Sequence, residues 1–349
     1  YKGEGNINLN FNGKAISVIS ESGATSTIID CGMEERGFTF DSGEDSTSIL
    51  DGFSIINGKR NHGGGIYCYY SSPIIRNCKI TNCIASGGGG GGIFLHVSDA
   101  ILSELIITEN TAEEGGGIHV IGGKPIITHS IISSNMSTTY SGGGLHIIEY
   151  SEAYLSDLTI SDNHGHWHGG LFIWTGSNVT INNSIITGNT QNEYTGAIGV
   201  EKAYANLINI TVTQNMTGGV SIWNGGHVNI INSIIANHTG EEIMVGSLDN
   251  VTPNYVSIAY SIIDGGLDYE KVRQQIRELL HNEGPIVCDV NCHDYHTYDP
   301  KIVGWSTPIE DMYPYLPREE FYNNMIIEPL EISKDPPLPS IHNLKDTME

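Results

Sequence analysis

Basic residues are scarce in this chain. Lys and Arg number 16 against 40 Asp and Glu, for a net charge of −24. Such a surface repels phosphate backbones and anionic lipid headgroups, so neither nucleic acid nor an acidic membrane is an expected partner. It suits a soluble extracellular protein or a binder of divalent cations, and acidity does not choose between them. No apolar run approaches the roughly 20 residues of a membrane-crossing helix. Cysteine is sparse too: Cys31, Cys68, Cys78, Cys83, Cys288 and Cys292 lack metal-knuckle spacing. Cys288 and Cys292 fall in strand-like sequence with their side chains on one side, where a disulfide competes with the plainer expectation of buried thiols. Tyr1 opens the chain with neither Met nor a signal peptide, as at a processed or cut boundary. Helical periodicity is missing before residue 268.

What is abundant is glycine, 43 residues of it, arranged in a repeat. Gly-Gly followed by an aliphatic residue recurs at Ile66, Ile93, Ile118, Leu145, Leu171 and Val220, with degenerate copies at Ile198 and Ile243. Successive aliphatics are 22 to 27 residues apart. A second phrase, aliphatic-x-x-Asn, lies between them: Ile107 to Asn110, Ile132 to Asn135, Ile160 to Asn163, Ile186 to Asn189, Val212 to Asn215 and Ile234 to Asn237. Ile80 with Cys83 and Ile55 with Gly58 are earlier copies, and Ile262 continues the column.

Two phrases at one period mean a solenoid. Helical repeats need about 33–47 residues, and leucine-rich repeats need a Leu consensus that is absent. Alternation with period two, as in Val179 and Ile181 between Asn178, Thr180 and Asn182, selects strands. The expected fold is therefore all-β, a right-handed single-stranded parallel β-helix over 1–265. Inward aliphatics should stack at about 4.8 Å from rung to rung. The Asn column should sit in a turn, where Asn tolerates left-handed angles and its amide can bond its copy on the next rung.

The phrases GGGIYCYYSSPIIRNCKITNC, LDGFSIING and YKGEGNINLNFNGKAISVISESGATSTIIDC resemble the right-handed β-helix repeat proteins of bacterial surfaces. They are also similar to the GGAI and FxxN repeats of polymorphic outer-membrane proteins. That resemblance implies a pectate-lyase-like solenoid at the cell surface. It does not imply one activity, because the group holds adhesins, scaffolds, lyases and hydrolases.

Residues 266–349 form a separate extension, α/β or irregular. Asp268 as N-cap, the stripe Val272, Ile276, Leu279 and Leu280, and the stop at Gly284-Pro285 predict a helix over 268–280. A strand over 286–292 follows. The run from Glu283 to Leu330, with Pro308-Ile309-Glu310-Asp311-Met312 and Arg318-Glu319-Glu320, resembles the C-terminal tail of acetolactate-synthase-like thiamine-diphosphate enzymes. The diphosphate-binding Gly-Asp-Gly of those enzymes is absent, so no cofactor and no catalytic residue carries over. The tail is expected to cap the last rung or to serve oligomerisation.

Aromatics along the Gly-Gly strands make the first candidate surface. Tyr67, Phe94, His119, His146 and Phe172 follow each aliphatic, and Tyr69, His96, Trp174 and Trp223 come two residues later. With Tyr140, Trp167 and Tyr194 in the neighbouring turns they could stack on sugar rings of a polysaccharide or cell-surface glycan, or simply on one another. His164, His166 and His168 would share one side of an extended segment, which suits a transition metal, whereas a solvated His turn is the simpler alternative. Calcium is the other candidate ion, and no cofactor is required. Glu114, Asp162 and Glu193 could supply the carboxyl pair of a glycoside hydrolase, which needs two acids about 5–9.5 Å apart. A lyase is disfavoured, since Lys124 and Lys202 are the only Lys or Arg between residues 80 and 270. The expectation is an extracellular scaffold, adhesin or carbohydrate-binding surface, with a polysaccharide-active enzyme or an oligomerising structural protein as alternatives.

Overall fold

In a computed structural model the described residues are 1–193, 195–246 and 252–263. They wind into a parallel β-solenoid of about ten turns. A typical coil runs through Ile93–His96, Ile101–Ser103, Ile106–Thr108 and Thr111–Ala112. Each strand pairs with its equivalents one coil before and after. The result is three ten-stranded sheets, here called first, second and third in chain order, and a short six-stranded fourth. No helix occurs among the described residues, and none is there to cross a membrane.

Alternation explains the interior. Ile93, Leu95, Leu102 and Ile107 of that coil point inward and are fully buried, and the next coils repeat them in register as Ile118, Val120, Ile127 and Ile132. No coil closes its own apolar face, so burial comes entirely from neighbours. At the first coils Phe11, Phe38, Phe40 and Phe53 interlock inside the core, with Phe11 and Phe40 ring centroids 4.7 Å apart.

Two corners are held by side-chain ladders. Asn110, Asn135, Asn163, Asn189 and Asn215 are buried between the third and fourth sheets. The amide Nδ2 of each of the first four donates to the Oδ1 of the next at 2.9–3.0 Å, and all five donate to the carbonyl of an Ile one coil back. The Cys83 backbone N–H donates into one end of the ladder, and His238 Nδ1 accepts from the Asn215 N–H at the other. Left-handed backbone falls one residue earlier than expected, on Glu109, Ser134, Asp162, Gly188 and Gln214. The Asn residues are spared because their side chains must point inward.

The last coils also correct the predicted register. Val212 pairs with Ile235, and Ile235 with Ile263, so Ile234 and Ile262 face solvent and His238, not Asn237, takes the ladder position. Between the second and third sheets, large and small residues alternate by coil. The N–H groups of Phe53, Leu105, Leu158 and Ile210 donate to Cys78 Sγ, Ser130 Oγ, Ser184 Oγ and Ser233 Oγ.

Cys31, Cys68, Cys78 and Cys83 are free and buried. Burial pushes the Cys31 and Cys83 thiols up to about 12, so they act as apolar filling. The predicted helix over 268–280, the strand over 286–292, Cys288, Cys292 and Tyr194 lie outside the described residues.

Candidate functional site

The outward column of the first sheet runs Tyr67, Phe94, His119, His146, Phe172, Gly199 and Ser221 in unbroken register. On a bare sheet these side chains would meet solvent. Here Phe94, His119, His146 and Phe172 are buried. The cover is the segment that leads into each Gly pair. Glu113 N–H bonds to Gly88 O, Tyr140 to Glu113 O, His166 to Tyr140 O and Glu193 to His166 O, so these segments stack into a layer of their own. The layer presses close. A Cβ on Gly89 would collide with the His119 ring, which only glycine permits.

Under this cover the rings pile up. His119 and His146 stack at 4.8 Å with planes 11° apart. Phe172 stacks on the far side of His146 at 5.2 Å, and Phe94 meets His119 edge-on at 5.5 Å. From the covering layer Glu114 brings its Oε2 to 3.6 Å from His119 Nε2 and 3.5 Å from His146 Nδ1. All four ring nitrogens of the two histidines are buried with no hydrogen-bond partner. An unsatisfied buried polar group costs about 1–3 kcal/mol, so this arrangement is expensive if left as it is. Burial, reinforced by His146, holds His119 well below the ordinary histidine range, so its ring is neutral and keeps a lone pair.

The next histidine behaves differently. His168 leaves the covering layer and fills the space above Gly199, where any side chain would collide with its ring. Its Nε2 lies 2.9 Å from Ser221 Oγ and its Nδ1 lies 3.3 Å from Ser141 Oγ. Burial, with His146 nearby, pushes it down to about 3.

The sequence-derived candidates therefore separate. His164, His166 and His168 do not converge: His164 Nδ1 bonds Thr190 Oγ1 at 2.9 Å, His166 lies 3.8 Å from Glu193, and His168 is buried. The segment bends after the short strand His164–Gly165, which breaks the extended geometry that would have aligned them. Glu114 faces the paired imidazoles, Glu193 faces His166, and Asp162 occupies the left-handed corner before Asn163. Phe94, His119, His146 and Phe172 offer no ring face to solvent, while Tyr67 is half-buried beneath the Arg36 guanidinium at 4.4 Å. Tyr140, Trp167 and Trp174 are exposed.

Other aromatics were not singled out by sequence. Tyr70 and Tyr150 stand at the corner between the first and second sheets, exposed by 58% and 75%. On the outward face of the second sheet Tyr204, His227 and Tyr255 stack at 4.6 and 4.3 Å. The signal was present: 204, 227 and 255 keep the coil period, but outside the Gly-Gly phrase.

The family described as a right handed beta helix region matches residues 4–156. Neither the curated proteins nor the solved structures give a match. Together with the parallel solenoid, this match supports a right-handed β-helix repeat architecture, which fits surface scaffolds and carbohydrate-active proteins in general.

Proposed function

We propose that this β-helix is a rigid extracellular or surface-displayed scaffold that binds a polysaccharide along the corner between its first and second sheets, without catalysis. The observation that carries this reading is the exposure of Tyr70, Tyr150 and Trp174 on that corner, at 58%, 75% and 38%. Tyr70 and Tyr150 take no part in the ring-on-ring stacking of the buried column, and Trp174 joins its edge, 6.2 Å from Phe172, while staying partly open to solvent. Tyr70 meets Tyr69 edge-on at 84°, and the column neighbours of Trp174 include Glu201 rather than another ring. Tyr150 leans against Gly176 on the next coil. At about 4.8 Å per coil, the three coils from Tyr70 to Tyr150 set these rings roughly 14 Å apart along the axis, with Trp174 one coil beyond. That is a platform for apolar sugar faces.

The resemblance of the repeats to bacterial surface proteins supports the location. Charge placement supports a binder over an enzyme. Glu114 and Glu193 each face histidine, and Lys124, on the same corner as the aromatic platform, is tied to Glu152 at 2.7 Å. Tyr150→Ala with Trp174→Ala should abolish retention of the full chain on a glycan array while leaving its melting temperature unchanged. Unaltered retention in the double variant, or no retained glycan for the parent, would sink the proposal.

A further inference from the structure

We infer that Glu114, His119 and His146 form a binding site for a divalent transition-metal ion of the zinc type, held by Glu114 Oε2, His119 Nε2 and His146 Nδ1. The three ligand atoms lie within 4.8 Å of one another, and this is the one such group of His, Cys, Asp or Glu among the described residues.

Three features point to an ion. The first is distance. At 3.5 and 3.6 Å the carboxylate is too far from the rings for good hydrogen bonds. Yet ligand atoms on a tetrahedral ion with bonds of about 2.0–2.1 Å stand roughly 3.3 Å apart. A small contraction brings Glu114 into range of both rings, and the stacked imidazoles, whose nitrogens lie within 4.8 Å of each other, turn toward the shared ion. The second is residue choice. Positions 94 and 172 of the same column are Phe, and Phe would fill 119 and 146 without orphaning any nitrogen. Packing alone does not call for two imidazoles, whereas coordination does. The third is rigidity. Ligating histidines are commonly oriented by a hydrogen bond from the second nitrogen. Here packing holds the rings in place instead: Phe172 lies against His146, Phe94 meets His119 edge-on, and Gly89 closes over His119.

The donor set selects the class. Two imidazole nitrogens and one carboxylate suit Zn²⁺ or Co²⁺ and not Ca²⁺, which takes six to eight oxygens. Three protein ligands leave one position of a tetrahedron to water. Glu114, the least buried of the three, is the ligand on the solvent side. The net charge of −24 raises the local concentration of any cation.

The full chain, stripped with chelator and dialysed, should be titrated with Zn²⁺ by calorimetry and with Co²⁺ by visible absorption. The expected result is one equivalent bound, with the absorption of four-coordinate Co²⁺ and a higher melting temperature in Zn²⁺. His119→Phe with His146→Phe should keep the fold and lose the ion. Glu114→Gln should weaken binding by about tenfold or more, in the range seen when a metal's support is removed. His164→Ala with His166→Ala should bind as the parent does. The site is overturned if the parent takes up no stoichiometric Zn²⁺, if the double Phe variant still binds, or if the 164/166 variant is the one that fails. Should the double Phe variant not fold, Glu114→Gln decides, because it removes one oxygen charge and changes no packing volume.

Discussion

The outward side chains of the first and second sheets follow the same two-residue alternation and meet opposite fates. Phe94, His119, His146 and Phe172 of the first are buried; Tyr154 and Tyr204 of the second are 42% and 51% exposed. The sheets themselves do not differ in regularity, since both are ten parallel strands in register. The difference lies in how the chain enters them. Segments such as 86–92 and 138–144 are long enough to fold back over the first sheet, whereas the corner into the second, such as 97–100, is short. On a β-helix, exposure of an outward column is therefore set by the connection beside it. A stack of aromatics can be a second core on one face and an open surface on the next.

Truncation should separate the two faces most sharply. Phe172→Ala removes a ring clamped between His146 and His168 and should cost about 3 kcal/mol, the lower end for a buried Phe. Tyr204→Ala removes a half-exposed ring stacked on one neighbour and should cost about 1 kcal/mol or less. Urea denaturation at pH 7 measures both. Equal losses would mean that the covering layer contributes no core.

Acid should single out the covered face next. The folded state holds His168 down to about 3 from an ordinary 6.5. Below pH 6.5 the unfolded chain takes up a proton that the folded chain refuses, so stability falls as pH falls, and the loss stops only near pH 3, where the folded ring also protonates. At pH 5 the deficit from His168 alone is about 2 kcal/mol. His119 shifts in the same direction and adds to it. His227 on the open face is also shifted down, but it is only partly buried and should add little. The urea midpoint measured from pH 7 to pH 4 should drop steeply in the parent and less in His168→Gln.

How much of this was legible beforehand follows from the range of the cause. Inward columns such as Ile80, Ile107 and Ile132 depend on local alternation and could be read directly. At the last coils the aliphatic-x-x-Asn phrase points to Ile234 with Asn237, whereas the pairing of Val212 with Ile235 and the capping of Asn215 by His238 choose Ile235. The left-handed residue was placed on the ladder Asn because Asn tolerates that angle, but four-fold hydrogen bonding inside the core assigns it to the preceding residue. Burial of the aromatic column was not legible, since it depends on the path of segments that carry no period. The Glu114, His119 and His146 group was half-legible. The two histidines occupy one repeat position 27 residues apart, and what sequence lacked was the fold-back that brings Glu114 over them. The run His164-Gly165-His166-Trp167-His168 was conspicuous for the opposite reason, because its density in sequence is undone by a bend.

The smallest effect tests why the covered column is interrupted at all. Gly199 stands where the register calls for another ring, and His168 from the covering layer occupies its space. Gly199→Ala would force that ring out and break its contact with Ser221 Oγ at 2.9 Å. The loss is one buried hydrogen bond and some packing, about 1–2 kcal/mol, partly offset because Ala suits a strand better than Gly. The informative readout is the titration of His168 by NMR. In the parent its ring should stay neutral down to about pH 3. In Gly199→Ala, displaced toward water, it should titrate closer to 6.5, and the steep loss of stability in acid should shrink with it. An unchanged titration would mean that the covering layer moves as a unit and keeps the ring buried. The boundary between covered and open faces would then rest on the layer's own rung-to-rung hydrogen bonds, not on the fit of His168 above a glycine.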